Sequence, residues 1–435
     1  MIGQPSVGLV GVVVLLALLI SGMPIGIALG IAGLGGLIVT LGLEPALIKS
    51  GVLVFETMTR YELGTLPLFM LMAHLCFTAG ASGDFFGLAA RLFGHRRGGL
   101  AIASVAGCAG FGSINGSSLA TTATMGLVAV PEMRTRGYSD ALATGTIAAG
   151  GTLGQMIPPS GALIVFGIIA EQSIGTLFTA AIVPGLTQML CYFVVIALLV
   201  GSRPSLAPPT PRATWAERIA ALRRVVDIGL LVVVVIGGIV LGWITASEAA
   251  AVGAAGALLI CMKRGKLDRA TLRRALEDTL RTSGLIYLVV IGALIFAAFI
   301  GVTGLADAIG SAIVDLDLGP VATMLLVAVF LLLIGSVLDG LALMLLTTPI
   351  LLPLVTDMGL SAIWFGIFLV RAMEIGFIHP PIGMNLYVIQ GVVPDVSLGR
   401  IFKGVLPFLA ADLVHLTLLI VFPVIALGLP TWLGR

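Results

Sequence analysis

The chain has 435 residues, of which 59% are hydrophobic and only 10% are charged, and its mean hydropathy is +1.17. This composition excludes a soluble globular domain and is typical of a polytopic membrane protein. The formal net charge of +2 gives no indication of nucleic-acid binding. Because one bilayer crossing needs about 20 apolar residues, the chain has room for about ten crossings.

Apolar segments alternate with polar interruptions along the first half. Residues 44–62 carry several charges and predict a loop or an interfacial helix. Residues 83–98 mix aromatic and basic side chains, which predicts an amphipathic helix in the membrane interface. Residues 5–20 lack a basic start, so they predict a spanning helix rather than a cleaved signal. The apolar helices expected in this half cover 5–20, 23–43, 63–80 and 175–201.

The segment 101–131 is apolar at both ends and polar in the middle. Its backbone is rich in glycine there, and hydrocarbon cannot satisfy such a backbone unless protein or a cavity surrounds it. We therefore predict a re-entrant hairpin, the alternative being one kinked helix packed through small residues. The polar side chains at its centre are Ser113, Asn115, Ser117, Ser118, Thr121, Thr122 and Thr124.

The next apolar stretch continues to Ala170 and is interrupted between Gly154 and Gly161 by the pair Pro158 and Pro159. Two adjacent prolines remove two backbone donors and free the carbonyl groups one turn earlier. The sequence therefore predicts a discontinuous helix that faces the hairpin.

A proline-rich linker over 202–224 separates this half from a second one in which the pattern restarts. A second hairpin is expected over 319–354, with Asp339 and Gly340 at its tip, and a second broken helix over 361–390, interrupted at Pro380 and Pro381. The remaining segments are apolar helices, a polar stretch and a short acidic segment: 225–241, 244–262, 282–300 and 403–428 (apolar), 263–281 (polar) and 305–317 (acidic).

The two halves read as a repeat, because the 27-residue spacing from Pro131 to Pro158 recurs from Pro353 to Pro380. Cytoplasmic loops favour Lys and Arg, which puts the basic segments inside and the acidic loop 301–319 outside. Five crossings per half then give the halves opposite orientations and leave both termini outside. We predict an all-α polytopic membrane protein with an inverted repeat, two re-entrant hairpins and two discontinuous helices, the architecture of a secondary transporter.

Each hairpin tip and its facing break are expected to form one Na⁺ site, since hydroxyl, amide, carboxylate and freed carbonyl oxygens suit a small hard cation. The alternative is that the hydroxyls only bond back to helix carbonyls. The candidate Na⁺ ligands are Ser113, Asn115, Gly116, Ser117, Gly154, Pro158 and Ser160 in the first half and Ser336, Asp339, Gly340, Gly376 and Pro380 in the second.

Helix N-termini at the tips and breaks favour an anionic substrate. Intramembrane acids such as Asp339 and Glu374 are costly, and each is expected to bind a cation or a proton. A structural pair with Arg371, three residues earlier, is the alternative for Glu374, and helix packing is the alternative for His379. The candidate substrate contacts are Ser118, Thr122, His379, Asn385 and Glu374, with Asn385 also a candidate for the second Na⁺ site.

Four motifs carry a specific resemblance to a known family. They are GMPIGIALG (22–30), GSINGSSLATTATMG (112–126), GTLGQMIPPSG (151–161) and EIGFIHPPIGMNLYV (374–388). With them the chain resembles the large membrane subunit of tripartite ATP-independent periplasmic (TRAP) transporters, in the ion-transporter superfamily. His379 departs from the family pattern, in which threonine usually precedes the second proline pair.

The resemblance implies an elevator-type carrier, not an enzyme, in the bacterial inner membrane, where the charge pattern predicts both termini to be periplasmic. It implies Na⁺-coupled uptake of an organic acid, such as a dicarboxylate, another carboxylate or sialic acid, and no organic cofactor. The implied partners are a small four-helix membrane subunit and a soluble periplasmic substrate-binding protein. We expect the small subunit to be a separate polypeptide, because no additional four-helix block precedes residue 5.

The elevator also implies a division into a mobile unit and a scaffold. The mobile unit is expected over 83–171 and 305–390, each part containing an arm, a hairpin and a broken helix. The expected scaffold covers 1–82, 172–201, 225–304 and 391–435, with 202–224 as a cytoplasmic linker.

Three other functions stay open at this point. Proton coupling in place of Na⁺ is a variant of the same carrier. A channel with re-entrant selectivity loops is less compatible with two antiparallel hairpins in one chain. An intramembrane enzyme would need a nucleophile–base spacing or a metal triad, and the sequence offers neither.

Overall fold

The computed structural model describes residues 4–316, 318–336, 338–380 and 382–434, and within these ranges the chain is helical throughout, with no strand. Among these residues the first half contains ten α-helices: α1 (Pro5–Ile20), α2 (Ile25–Leu41), α3 (Leu43–Thr59), α4 (Thr65–Ala79), α5 (Ala81–Phe93), α6 (Gly99–Asn115), α7 (Ser118–Thr135), α8 (Asp140–Met156), α9 (Gly161–Ile169) and α10 (Ile174–Ser202).

The second half contains ten further helices among the described residues. They are α11 (Trp215–Val240), α12 (Ala246–Lys263), α13 (Arg269–Thr303), α14 (Leu305–Val314), α15 (Pro320–Gly335), α16 (Gly340–Asp357), α17 (Ala362–Ile378), α18 (Met384–Val392), α19 (Leu398–Val421) and α20 (Val424–Trp432).

Three sequence predictions about element bounds are wrong. The linker is shorter than 202–224, because α11 begins at Trp215, where Thr214 and Glu217 form a capping box that starts the helix. The polar stretch 263–281 is not a separate loop, since most of it is the first part of the 35-residue helix α13. The last apolar helix is not continuous, because the chain breaks at Phe422 and Pro423 between α19 and α20.

Short polar side chains start many of these helices, as expected for N-caps. Ser139, Ser160 and Ser173 each accept a hydrogen bond from the backbone N–H three residues later. Thr245 and Glu248 form a capping box at the start of α12.

Glycine allows the helices to pack at backbone contact in the part of the molecule formed by α2 and α13. A methyl group added at Gly26 would lie 2.8 Å from the backbone of Leu288, and one at Gly33 would lie 2.6 Å from the backbone nitrogen of Phe296. Small residues at helix contacts are typical of membrane bundles, where apolar lipid gives no hydrophobic drive for association.

Within the described residues, six helices are long and apolar enough to cross a membrane, or seven if the bent pair α8 and α9 counts as one span. The axes of α8 and α9 differ by 42° across their break. Four shorter apolar helices, α1, α2, α6 and α15, add to this set. The architecture is therefore that of a multi-pass membrane protein with interrupted helices.

Candidate functional site

Helices α6 and α7 form an antiparallel hairpin, which we call hairpin 1. Ser104 on α6 donates to the sulfur of Met133 on α7 at 3.3 Å, and the backbone N–H of Leu100 donates to the hydroxyl of Tyr138 at 3.1 Å. The hairpin turns at Gly116 and Ser117, because Gly116 has a φ of +63° and ends α6 while Ser117 caps α7. The predicted break in 101–131 is therefore present.

The tip of hairpin 1 lies against the break between α8 and α9. The backbone N–H of Gly161 approaches the carbonyl oxygen of Gly116 at 3.5 Å. A methyl group on Gly116 would lie 2.6 Å from the carbonyl oxygen of Pro159. Only glycine meets both the positive φ and this close contact.

Helix α8 packs against both arms of hairpin 1, and the residues of α8 at this contact are glycines. A methyl group on Gly150 would lie 3.1 Å from the sulfur of Cys108 on α6, and one on Gly154 would lie 2.9 Å from the carbonyl oxygen of Ser117. A methyl group on Gly151 would overlap the side chain of Thr122 on α7. The break is thus held at the tip by backbone packing.

The predicted first-half ligands meet at this point, but their side chains already have local partners. Ser113 donates to the carbonyl of Gly110 at 2.7 Å, and Asn115 donates from Nδ2 to Oγ1 of Thr121 at 3.4 Å. Ser117 and Ser160 accept backbone N–H bonds as N-caps at 3.4 Å. A hydroxyl oxygen has two lone pairs, so each capping oxygen keeps one for another donor or a cation.

The proline pair supplies further oxygens. An α-helical carbonyl bonds to the N–H four residues later, and for Gly154 and Gln155 those residues are Pro158 and Pro159, which have no N–H. The C-terminal ends of α6 and α8 therefore bring carbonyl groups to the same place as the N-terminal ends of α7 and α9. Partial negative and partial positive helix ends converge there.

The second half has a similar contact between α15, α16 and α17. A methyl group on Gly376 would lie 2.8 Å from the carbonyl oxygen of Gly335, and one on Gly340 would lie 2.8 Å from the ring of Phe377. Ser336 donates to the carbonyl of Leu333 at 2.7 Å. Among the predicted ligands, Ser336, Gly340 and Gly376 therefore lie together.

The acidic residue of this tip has a local role. Asp339 is half-buried, caps α16 and accepts from the N–H of Leu341 at 3.1 Å. Pro380 is half-buried just beyond the end of α17, and it deprives the carbonyl of Gly376 of its helical partner. Pro381 lies outside the described residues.

Two of the predicted substrate contacts join the halves of the chain. Asn385 on α18 donates from Nδ2 to Oγ of Ser118 at 2.9 Å and to the carbonyl of Ala148 at 3.0 Å, and all these groups are buried. Thr122, one turn along α7, has a buried hydroxyl with no partner within the described ranges. The structure therefore brings Ser118, Thr122 and Asn385 together at hairpin 1.

Glu374 lies elsewhere, in a buried ionic network. Arg371 donates to Oε2 of Glu374 at 3.1 Å, as the structural alternative predicted, and it also forms an ion pair with Asp412 on α19. All three side chains are inaccessible to solvent. His379 is half-buried, and its Nδ1 has no partner among the residues that the structure describes.

The sequence analysis missed most of this network. Asp412 also accepts from the hydroxyl of Tyr192 at 2.8 Å, and His415 accepts at Nδ1 from Arg371 at 3.1 Å. Gln188 donates to the hydroxyl of Tyr192 at 3.0 Å. The available signal was the pair Asp412 and His415 in the otherwise apolar later part of α19, since ionisable residues in a spanning segment need a partner.

The base of hairpin 1 carries a second group of ion pairs. Arg134 contacts Asp395 at 2.5 Å and Asp140 at 3.0 Å, and Arg400 on α19 contacts Asp140 at 3.0 Å. The hydrogen bond from Arg134 lowers the pKa of the exposed Asp395 below its usual value. These contacts connect hairpin 1 and α8 to the start of α19.

Two cavities lie beside the helices of the candidate site, α6 to α9. One, of about 580 Å³, lies between hairpin 1 and the helices α4 and α13. The other, of about 840 Å³, lies beside the end of α9, where Arg60 contacts Glu171 at 2.9 Å and donates to the carbonyl of Ile168 at 3.2 Å. The side chain of Glu171 is exposed.

The helical architecture is similar to a known transporter. Over 91% of this chain and 90% of the other, the structure superposes on the YdaH transporter of Alcanivorax borkumensis with a TM-score of 0.59 at 15% sequence identity. At that identity the likeness concerns the fold. The fold is that of a multi-pass membrane protein.

Sequence comparison gives the family. Residues 12–425 match the model of the tripartite ATP-independent periplasmic transporter, DctM component. The C4-dicarboxylate TRAP transporter large permease protein DctM of Pseudomonas aeruginosa is 34% identical, over 92% of this chain and 94% of that protein. The chain belongs to the DctM family of TRAP transporter large permeases, as the motifs predicted.

Other relatives have different substrates in their names. The sialic acid TRAP transporter large permease protein SiaM of Vibrio cholerae is 31% identical, over 95% of this chain and 96% of that protein. The isethionate TRAP transporter permease protein DctMQ of Oleidesulfovibrio alaskensis is 31% identical over 94% of this chain, which spans 64% of that longer protein.

Proposed function

We propose that this large permease imports an organic acid together with Na⁺, with the acid delivered by a periplasmic binding protein. The convergence of the tip of hairpin 1 with the break between α8 and α9 is the observation that carries the proposal. The relatives named for C4-dicarboxylates, sialic acid and isethionate support an organic acid as the substrate class.

Na⁺ is a transported ion in this proposal, with one site per half. In the first half the oxygens of Ser117 and Ser160 and the freed carbonyl of Gly154 form a set of neutral hard ligands. In the second half the carboxylate of Asp339 and the freed carbonyl of Gly376 are the corresponding ligands. Oxygen sets of this kind suit Na⁺ better than soft metals.

The substrate would bind where the N-terminal ends of α7 and α9 meet. Backbone N–H groups and the positive ends of the helix dipoles favour a carboxylate or sulfonate there. The unpartnered hydroxyl of Thr122 and the half-buried Asn115 are near the same tip. The nearby 580 Å³ cavity offers a route to it.

An elevator motion of an inverted repeat would move both sites through the membrane together. The contacts of α10 and α19 support including these helices in the mobile unit, beyond the predicted 83–171 and 305–390. Asp412 on α19 forms an ion pair with Arg371 on α17 and accepts a hydrogen bond from Tyr192 on α10. A methyl group on Gly145 of α8 would overlap the backbone of Gly404 on α19. Buried ion pairs and backbone contacts of this kind favour movement as one body.

The rest of the proposal concerns location and partners. The charge distribution supports an inner-membrane protein with both termini in the periplasm. The family supports two partners, a small four-helix membrane subunit and the periplasmic binding protein. Neither the channel nor the enzyme alternative gains support from a contact described above.

The proposal is tested by uptake into proteoliposomes that contain the permease and its small subunit, with the binding protein outside. Succinate, N-acetylneuraminate and isethionate are the three probe substrates. We expect uptake of one of them to require an inward Na⁺ gradient and to be indifferent to an imposed pH gradient. Uptake that follows the pH gradient and ignores Na⁺ would establish the proton-coupled alternative instead.

A further inference from the structure

The cavity between hairpin 1 and the helices α4 and α13 has the size and lining of a small-molecule site. Its volume of about 580 Å³ falls within the range of about 300–1,000 Å³ typical of such sites. One wall is the tip of hairpin 1, which contributes Asn115, Ala120 and Thr124. The opposite wall comes from α4 and from the first turns of α13.

The polar lining of this cavity can bind an acid group. Thr78, Thr124 and Thr271 present hydroxyl groups, and Asn115 presents a side-chain amide. Phe77, Phe111 and several alanines form the apolar part of the wall. A few polar groups in a mainly apolar wall is the usual composition of a ligand site.

Arg274 is the fixed positive charge of the described lining, which also contains Asp278 and His74. Its Nε donates weakly to the carbonyl of Ala270 at 3.4 Å, and no carboxylate within the described ranges forms an ion pair with it. The neighbouring Arg273 differs, since it contacts Glu277 at 2.6 Å and does not line the cavity. A guanidinium without an ion-pair partner at the wall of a cavity is suited to bind a carboxylate through two parallel hydrogen bonds.

We propose that this cavity is a second binding site for the transported organic acid, with Arg274 as the residue that binds its acid group after release from the hairpin tip. The inference rests on the proposed transport of an organic acid. Helix α13 begins in the strongly basic segment 263–281, which the charge rule puts in the cytoplasm. The cavity is therefore the last site before the cytoplasm. Its α13 wall, which carries Arg274, does not move with the hairpin, because α13 belongs to the scaffold.

Asp278 gives the site an opposing charge. It lies one turn after Arg274 on the same helix and lines the same cavity. Its carboxylate repels a bound acid, so the site holds the acid weakly and lets it leave. Removing the charge of Arg274 should weaken binding, and removing that of Asp278 should strengthen it.

The test uses the permease with its small subunit in inverted vesicles, in which the cytoplasmic face is outside. A cysteine introduced by Ala120→Cys reports on the cavity, because Ala120 is exposed and lines it. The labelling rate of this cysteine by a membrane-impermeant maleimide is measured at increasing concentrations of succinate, N-acetylneuraminate or isethionate. The unchanged chain gives the background, since three of its four cysteines are buried and Cys191 is half-buried.

We expect labelling in inverted vesicles that at least one of the three acids slows. Arg274→Gln should raise the half-protecting concentration about tenfold, the size expected for loss of a charged hydrogen bond. Arg273→Gln, which removes the same charge one residue away, should leave it unchanged, and Asp278→Asn should lower it.

The proposal is overturned if none of the acids protects, if Arg274→Gln and Arg273→Gln behave alike, or if the cysteine reacts only in right-side-out vesicles. The assay contains neither a Na⁺ gradient nor the binding protein. A failure of Na⁺-driven uptake is therefore seen separately, in proteoliposomes, and does not alter the protection result.

Discussion

Asn385 on α18 donates a 2.9 Å hydrogen bond to the hydroxyl of Ser118, which opens helix α7 of hairpin 1. The two residues are 267 positions apart in the chain. The same Nδ2 also donates to the carbonyl of Ala148 on α8, so one side chain ties the second broken helix to both elements of the first-half site.

Asn385→Leu tests this connection. It removes both hydrogen bonds and leaves the buried Ser118 hydroxyl without this partner, at a cost of about 1–3 kcal/mol. We expect a lower midpoint of thermal unfolding for the purified permease and a loss of uptake. Ser118→Ala should cost less, because Asn385 keeps its bond to Ala148. Equal midpoints for Asn385→Leu and the unchanged protein would show that the bond does not hold the halves together.

Gly116→Ala tests the packing of the tip against the break. The added methyl group would lie 2.6 Å from the carbonyl oxygen of Pro159, at a residue whose φ is +63°. We expect the tip to move and Na⁺-driven uptake to fall by about tenfold or more, since a small misplacement of a binding group is costly.

The matched control for Gly116→Ala is Gly237→Ala in helix α11. Nothing lies within 4 Å of the methyl group that this change adds, and glycine inside a helix is less stable than alanine. Uptake should therefore stay normal. Normal uptake in Gly116→Ala as well would contradict the role assigned to the tip.

The buried pair of Arg371 and Asp412 should be important for stability. Removing one partner of a buried pair leaves an uncompensated charge and costs about 3–5 kcal/mol. We expect Asp412→Leu to destabilise the permease strongly in a chemical unfolding assay. The triple change Arg371→Met, Glu374→Gln and Asp412→Leu, which removes all three charges of the network, should recover part of the loss. The exposed pair of Arg273 and Glu277 is the control, and removing it should cost less than about 1 kcal/mol.

A cross-link between positions 60 and 171, where Arg60 contacts Glu171, tests the proposed elevator motion. It joins a proposed scaffold residue to the end of α9 in the proposed mobile unit. With cysteines at both positions, a short bis-maleimide should abolish uptake by fixing the two units together. The same reagent on cysteines at 273 and 277, within one helix, should have no effect. Full activity after complete cross-linking of 60 to 171 would rule out relative motion at this contact.

Local signals predicted much of this fold. The proline pair at 158 and 159 predicted the break between α8 and α9, and the glycine and serine of 116 and 117 predicted the turn of hairpin 1. Both features depend on a missing N–H or a positive φ, which the residue type itself dictates. The position of α1 followed from an equally local rule.

Long-range contacts were not predictable in the same way. Nothing near Asp412 indicates that Arg371 and Tyr192 will surround it, because the three residues belong to three helices that only the packed fold brings together. The continuous helix α13 was missed for another reason. Its first turns are polar and its later turns apolar, so a change of environment along one helix resembled a boundary between two elements.

The central claim is that Na⁺ bound in the two halves moves with the organic acid. Its most direct test is the ratio of radioactive ²²Na⁺ to labelled acid taken up by proteoliposomes that contain the permease and its small subunit, with the binding protein outside. Two sites predict about two Na⁺ ions per acid, and loss of Na⁺ uptake together with acid uptake in Gly116→Ala. Uptake of the acid with no accompanying ²²Na⁺ would contradict the account.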